Sequence, residues 1–247
     1  MHGLGVNAGT WSTGADLESL AARYHLYLVD TVGDRGRSII NQKPRSGELY
    51  VDWLQEVFTE LGLERAMMAG TSFGAAISLL MAHRAPQRVS GVAALVPMSV
   101  VCKLRTVPML RMVAMGMLLN EKRLIRYLRY ANGGAEIDLE LAAETIDLML
   151  NYPGAREGFI AAPIPVLSDV ELQAVEVPCS CYLGEGDPFY RASKVKARLD
   201  SLECQVQAKV VSGMGHFLGQ DFAPYIIEGL GDASAGARSQ PEDQAVV

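Results

Sequence analysis

The 247-residue sequence lacks the charge surplus that nucleic acid attracts: 22 Lys and Arg stand against 28 Asp and Glu, a formal net charge of −6. No strongly basic face is implied, which speaks against nucleic acid as a partner. Long apolar runs are missing as well. No stretch of about 20 residues escapes charges or Gly and Pro breaks, so no membrane span is expected. The opening Met1-His2-Gly3-Leu4-Gly5 lacks the basic and apolar regions of a secretory signal. Cysteine is scarce: Cys102, Cys179, Cys181 and Cys204 match neither a C-x-x-C motif nor a zinc spacing. Free core thiols and a cytoplasmic location are the expectation. Histidine is scarcer than most polar types, with only His2, His25, His83 and His216, so the choice of a catalytic base is short.

What is present suits one large globular domain, since 49% of the residues are hydrophobic. Tyr24 to Asp30 reads as a strand, and Tyr50, Trp53, Leu54, Val57, Phe58 and Leu61 fall at helical spacing over 48–62. A strand over 65–69 precedes a helix over 73–84. Further strands are expected at 89–97, 178–183 and 206–211, with a helix over 221–230. Strands alternating with helices predict a mostly parallel sheet covered on both faces.

Residues 99–172 break that rhythm and read as a helical cap inserted between two parts of the core, 1–98 and 173–230. The methionines Met109, Met112, Met115, Met117 and Met149 have two readings, core packing or an adaptable apolar substrate wall. Lys103, Arg105, Arg111, Lys122, Arg123, Arg126 and Arg129 make the first half basic. Glu136, Asp138, Glu140, Glu144, Asp147 and Glu157 make the second half acidic. Solvated faces that attract each other are the first reading; an anion site at Arg123, Arg126 or Arg129 is the second. The small, polar residues 231–247 are expected to be a disordered tail.

The chemistry concentrates in Gly70-Thr71-Ser72-Phe73-Gly74, between an apolar strand and a helix of small residues. A serine on a sharp strand-to-helix turn is lifted from the sheet, and side chains at −2 and +2 would collide with neighbouring elements. The turn puts the Phe73 N–H at a helix N-terminus, aimed where an oxyanion would form. The alternative is a tight turn whose serine only caps the helix. A nucleophilic serine needs a base and a group to orient it. His216 follows the last core strand in a glycine-rich loop, Ser212-Gly213-Met214-Gly215-His216. His25 lies in a strand, where core packing is expected, and His83 lies late on a helix, facing solvent. Asp187, in Gly184-Glu185-Gly186-Asp187-Pro188, ends the preceding strand at the same sheet edge.

These motifs, with His2-Gly3-Leu4-Gly5 and Asp30 to Ser38, make the chain similar to capped serine hydrolases of the α/β-hydrolase superfamily, over His2 to about Leu230. The resemblance implies catalysis by Ser72, Asp187 and His216, with the oxyanion held by the N–H groups of Leu4 and Phe73. It makes His2 structural, and Asp30 a residue that ties down the loop after it. Gly33-Asp34-Arg35-Gly36-Arg37-Ser38 departs from the common G-x-G-x-S loop by one residue. Ala75, a glycine in many relatives, is a small change.

The resemblance implies a serine hydrolase for an ester or related acyl compound, using no metal or organic cofactor. A small apolar acyl substrate is the expected partner. The same scaffold also carries C–C bond hydrolases, lyases, perhydrolases and non-catalytic binding proteins. In relatives a central strand precedes the segment that here begins at His2. The N-terminal strands are therefore expected to be missing, leaving a gap beside Tyr24–Asp30. A 247-residue chain that aggregates, and an upstream-extended one that folds, are the corresponding expectations.

Overall fold

The computed structural model describes residues 1–39, 45–134, 136–152, 161–216, 221–234 and 245–247. Its strands are β1 (His25–Leu26), β2 (Ala66–Thr71), β3 (Val89–Leu95), β4 (Cys179–Gly184), β5 (Val206–Val211) and β6 (Ala245–Val246). Short α1 (Trp11–Gly14) and α2 (Leu17–Ala21) precede β1; α3 (Glu48–Glu60) and α4 (Phe73–Arg84) flank β2. Between β3 and β4 run α5 (Thr106–Met117), α6 (Glu121–Ala131), α7 (Leu139–Asn151) and α8 (Asp169–Gln173). The core closes with α9 (Ala192–Asp200) and α10 (Ala223–Ser234). The six strands form one parallel sheet in the order β1-β6-β2-β3-β4-β5.

Helices cover both faces, so the inner strands carry apolar residues at nearly every position and the two-residue alternation only sorts them between cores. Met68, Val92, Ala94, Cys179 and Cys181 point to the core shared with α3, α4 and α9. Met67, Ala69, Ala93 and Leu95 point to the core shared with α2 and α10. Tyr50 of α3 is fully buried; its ring meets Phe73 edge-on at 5.3 Å and its hydroxyl accepts the Ala162 N–H at 2.9 Å. All four cysteines are free thiols, and burial pushes Cys181 up to about 12. No helix among the described residues is long and apolar enough to cross a membrane.

Several expectations are corrected. The strand forecast over Tyr24 to Asp30 is confined to His25–Leu26, and His25 is exposed and stacked on Tyr27 at 4.7 Å rather than packed in the core. Helix α10 runs on to Ser234, and residues 245–247 are buried, not a disordered tail; 235–244, like Glu157 of the acidic half, lie outside the described residues. The sheet also has no central gap, because β6 fills it. Tyr27 N–H donates to the Val246 carbonyl at 2.9 Å, Ala69 N–H to the Val247 carbonyl at 2.9 Å and Val247 N–H to the Met67 carbonyl at 3.0 Å. Ala245 and Val247 join one core and Val246 the other. Polar composition hid this segment, whose last residues, Ala245-Val246-Val247, are apolar.

His83 is half-buried, with Nε2 3.7 Å from Glu171, rather than facing solvent. The two charged halves of the insertion meet in an exposed Arg129–Glu136 ion pair at 3.3 Å, which contributes little in water.

Val246 is 5% exposed, between β1 and β2. Val246→Asp, which buries an unpaired carboxylate there, is expected to cost roughly 3 kcal/mol. Urea unfolding measures it, and an unchanged midpoint would place 245–247 outside the sheet.

Candidate active site

The site lies at the carboxyl ends of β2, β4 and β5, where the chain leaves the sheet. Ser72 follows β2 with φ 52° and ψ −110°, a left-handed conformation for a residue that has a side chain. Such a conformation costs on the order of 1–3 kcal/mol and persists only when its surroundings enforce it. Here Ser72 N–H donates to the Leu95 carbonyl at 2.9 Å, and the Ser72 carbonyl accepts from Ala76 at 3.1 Å and Met98 at 3.0 Å. The flanking glycines have separate steric reasons. A Cβ on Gly70 would lie 2.5 Å from the Gly74 carbonyl carbon, inside the α4 backbone. One on Gly74 would lie 2.4 Å from the Met1 carbonyl oxygen and 2.6 Å from that of His2.

His216 and Asp187 converge on this serine. His216 Nε2 is 2.8 Å from Ser72 Oγ, and Nδ1 is 2.7 Å from Asp187 Oδ2. The carboxylate accepts at Nδ1, so that nitrogen carries the proton and Nε2 is left to accept from the serine. Asp187 is 4% exposed, and its other oxygen accepts the Phe189 N–H at 2.8 Å. The Phe189 ring packs on the imidazole at 4.5 Å. Loops from β4 and β5 are tied together: Gly186 N–H donates to the Met214 carbonyl at 2.9 Å, and Ser212 Oγ to Glu185 at 2.7 Å. A third tie comes from α6, whose Ala131 carbonyl accepts the His216 N–H at 2.8 Å.

The segment Met1 to Gly5 lies beside the elbow. Thr71 N–H donates to the Met1 carbonyl at 3.2 Å, and a Cβ on Gly3 would be 3.6 Å from Ser72 Cβ. Leu4, the next residue, lines the same cavity as Ser72. His2 is buried, and Nε2 accepts the Thr31 N–H at 2.8 Å, which leaves Nδ1 to donate to the Gly3 carbonyl at 2.8 Å. Burial pushes its imidazole down to about 4, so it is neutral near pH 7. Asp30 accepts from the N–H groups of Ala8 at 2.8 Å and Arg37 at 2.7 Å, and its carbonyl accepts from Ser38 Oγ.

A cavity of about 480 Å³ opens onto Ser72 and His216. Met112, Met115, Met117 and Met149 line it, whereas Met109 packs on the sheet-side core. Met112 touches that core as well, and Met115 and Met149 also pack against the cluster of Leu124, Leu128 and Ile137. Arg123 donates to the Leu118 carbonyl at 3.1 Å and Arg129 pairs with Glu136, and neither lines the cavity. Sequence reasoning missed three contributors: Phe189, two residues past Asp187, and the pair Asp34 and Arg35. The one-residue departure in the Gly33–Ser38 loop was the signal for that pair. Burial pushes the Asp34 carboxyl up to about 7, against the pull of the Arg35 and Gly5 N–H groups and the Arg35 charge. Among the described residues, no group of three or more His, Cys, Asp or Glu is placed to hold a metal ion.

A parallel sheet with a strained serine turn after one strand, an acid after another and a histidine after a third is the arrangement of α/β-hydrolases. The chain belongs to the alpha/beta hydrolase family, whose profile it matches over residues 1–224. It is 24% identical to carboxylesterase YbfK of Bacillus subtilis (strain 168) over 233 residues, 92% of this chain and 76% of that protein. Carboxylesterase CesB (YbfK) from Bacillus subtilis has the same fold in its crystal structure, with a TM-score of 0.82, 22% identity and coverage of 96% and 82% of the two chains. The meta-cleavage product hydrolase CumD also shares the fold, with a TM-score of 0.69 at 22% identity over 87% of this chain and 81% of that one.

Gly74→Ala places a methyl against the Met1 and His2 carbonyls and is expected to cost about 1–3 kcal/mol. A thermal melt equal to the parent's would mean that residues 1–5 are not seated against α4.

Proposed function

We propose that the protein is a serine hydrolase that cleaves a carboxylic ester or related acyl compound through an acyl-enzyme. The observation that carries this reading is the continuous hydrogen-bond chain from Ser72 through His216 to Asp187, at 2.8 and 2.7 Å. Similarity to the carboxylesterase YbfK supports the same class.

Ser72 Oγ attacks the carbonyl carbon while its proton passes to His216 Nε2. Asp187, buried and held by Phe189, keeps the imidazole oriented and stabilises its cation. The oxyanion is stabilised by the N–H groups of Leu4 and Phe73, the latter at the positive end of α4. The C–O bond to the alcohol breaks as His216 returns the proton to the leaving oxygen. Water, deprotonated by His216, then attacks the acyl-enzyme and releases the acid, restoring Ser72.

The helices between β3 and β4 act as a cap over the acyl group. α5 packs on α6, α6 on α7 and α7 on α1, closing the cavity above Ser72. The methionine-rich wall suits small to medium apolar acyl chains, since thioether side chains repack around varied shapes.

Ser72→Ala is expected to lower kcat by roughly 10⁴–10⁶ with folding nearly intact, and a fluorophosphonate should add to Ser72 and to no other serine. Retained hydrolysis by that variant, or an unlabelled parent, would overturn the reading. Turnover of p-nitrophenyl esters with a trapped acyl-enzyme separates an esterase from the C–C hydrolase, lyase and perhydrolase chemistries of the fold. Met112→Ala and Met115→Ala should shift kcat/KM between short and long acyl esters, and a uniform loss at all lengths would assign these residues to folding instead.

A further inference from the structure

We infer that Asp34 and Arg35 are positioning residues: a two-part clamp on Gly5 that sets the direction of the Leu4 N–H and references it to helix α7. The inference rests on the serine-hydrolase reading above.

Three consecutive peptide groups beside Ser72 are each gripped by a polar side chain. The Gly3–Leu4 peptide, which bears the Leu4 N–H, is held at its carbonyl by His2 Nδ1 at 2.8 Å. The Leu4–Gly5 peptide is held at its N–H by both Asp34 carboxylate oxygens, at 3.0 and 2.9 Å. The Gly5–Val6 peptide is held at its carbonyl by Arg35 Nη1 at 2.9 Å. A peptide plane turns as a unit, so fixing the planes on both sides of Leu4 fixes where its N–H points. Gly5 itself has φ 81°, in the left-handed region, where glycine turns freely; unclamped, this segment would be the softest part of the site.

The clamp is also internally braced and tied to the insertion. Asp34 Oδ1 accepts the Arg35 N–H at 2.8 Å. Arg35 Nη1 donates a second bond, to the Met149 carbonyl in the last turn of α7, at 2.9 Å. A guanidinium there meets the negative end of the helix. Arg35 is buried and lines the same cavity as Ser72. A buried guanidinium is seldom the most stable choice for such a position, since an apolar residue of the same volume would avoid the loss of hydration. Geometry that a hydrolase can use gives the pair a reason to be there: oxyanion donors must be aimed in advance to act.

The test uses Asp34→Asn and Arg35→Lys, both close in shape to the residues they replace, on the full chain. Active sites are titrated with a fluorophosphonate, so that kcat refers only to folded enzyme. On p-nitrophenyl butyrate, kcat per titrated site should fall about 10²–10³-fold, the size seen when one oxyanion donor is lost, with KM within about threefold of the parent. Affinity for an alkyl boronic acid, which forms a tetrahedral adduct on the serine, should weaken in parallel. A purely structural role would lower the melting temperature and leave both per-site numbers unchanged, and that result overturns the clamp while the triad stands. A parent enzyme that the fluorophosphonate does not label overturns the clamp together with the hydrolase reading.

Discussion

Everything at this site depends on one strained residue. Ser72 is held at φ 52° by hydrogen bonds to Leu95, Ala76 and Met98. The constraint reaches further than the turn. It demands a glycine on either side, and at Gly74 the demand comes from Met1 and His2, the backbone that leads to Leu4. The close approach that forbids a side chain at Gly74 is therefore the same one that brings the Leu4 segment to Ser72. A looser turn would relieve the serine and separate the two halves of the site together.

Support for the turn comes from sheet order. β2 lies between β3 and β6: β3 pairs it from Ala66 to Thr71, β6 holds its other edge at Met67 and Ala69, and the Met1 carbonyl accepts the Thr71 N–H at its end. β6 contributes only two residues to the strand but joins both cores through Ala245, Val246 and Val247. Unpaired backbone groups inside a sheet are costly, and these few apolar residues satisfy the groups that would otherwise stand open between Tyr27 and Ala69.

Local order was legible in the sequence wherever one rule acted alone. The apolar runs became β2, β3, β4 and β5, the helical spacing over 48–62 became α3, and the glycines around Ser72 marked the elbow. Ser72, Asp187 and His216 stand on three different loops, and the structure brings them within hydrogen-bond distance. What was not legible depended on long-range contact. Ala245 and Val246 carry no period in so short a piece, so only the space beside β2 reveals them as a strand. Asp34 and Arg35 look like ordinary polar loop residues until Gly5, some 30 positions away, is set against them. His25 was misplaced because burial there depends on which strands lie outside it.

The contact between α6 and the histidine loop bears on how such an enzyme can change over generations. Gly215 has no room for a side chain because Asn132 occupies the space, with Cα 2.4 Å from where a Cβ would be, and the Ala131 carbonyl holds the His216 amide. The insertion is thus not a detachable module. Exchanging it whole for another would dislodge the imidazole along with the specificity it was meant to alter. Evolutionary and laboratory variation in substrate range must work around this fixed corner, through residues of α5 and α7 that face the cavity, and the end of α6 is inherited with the catalytic core.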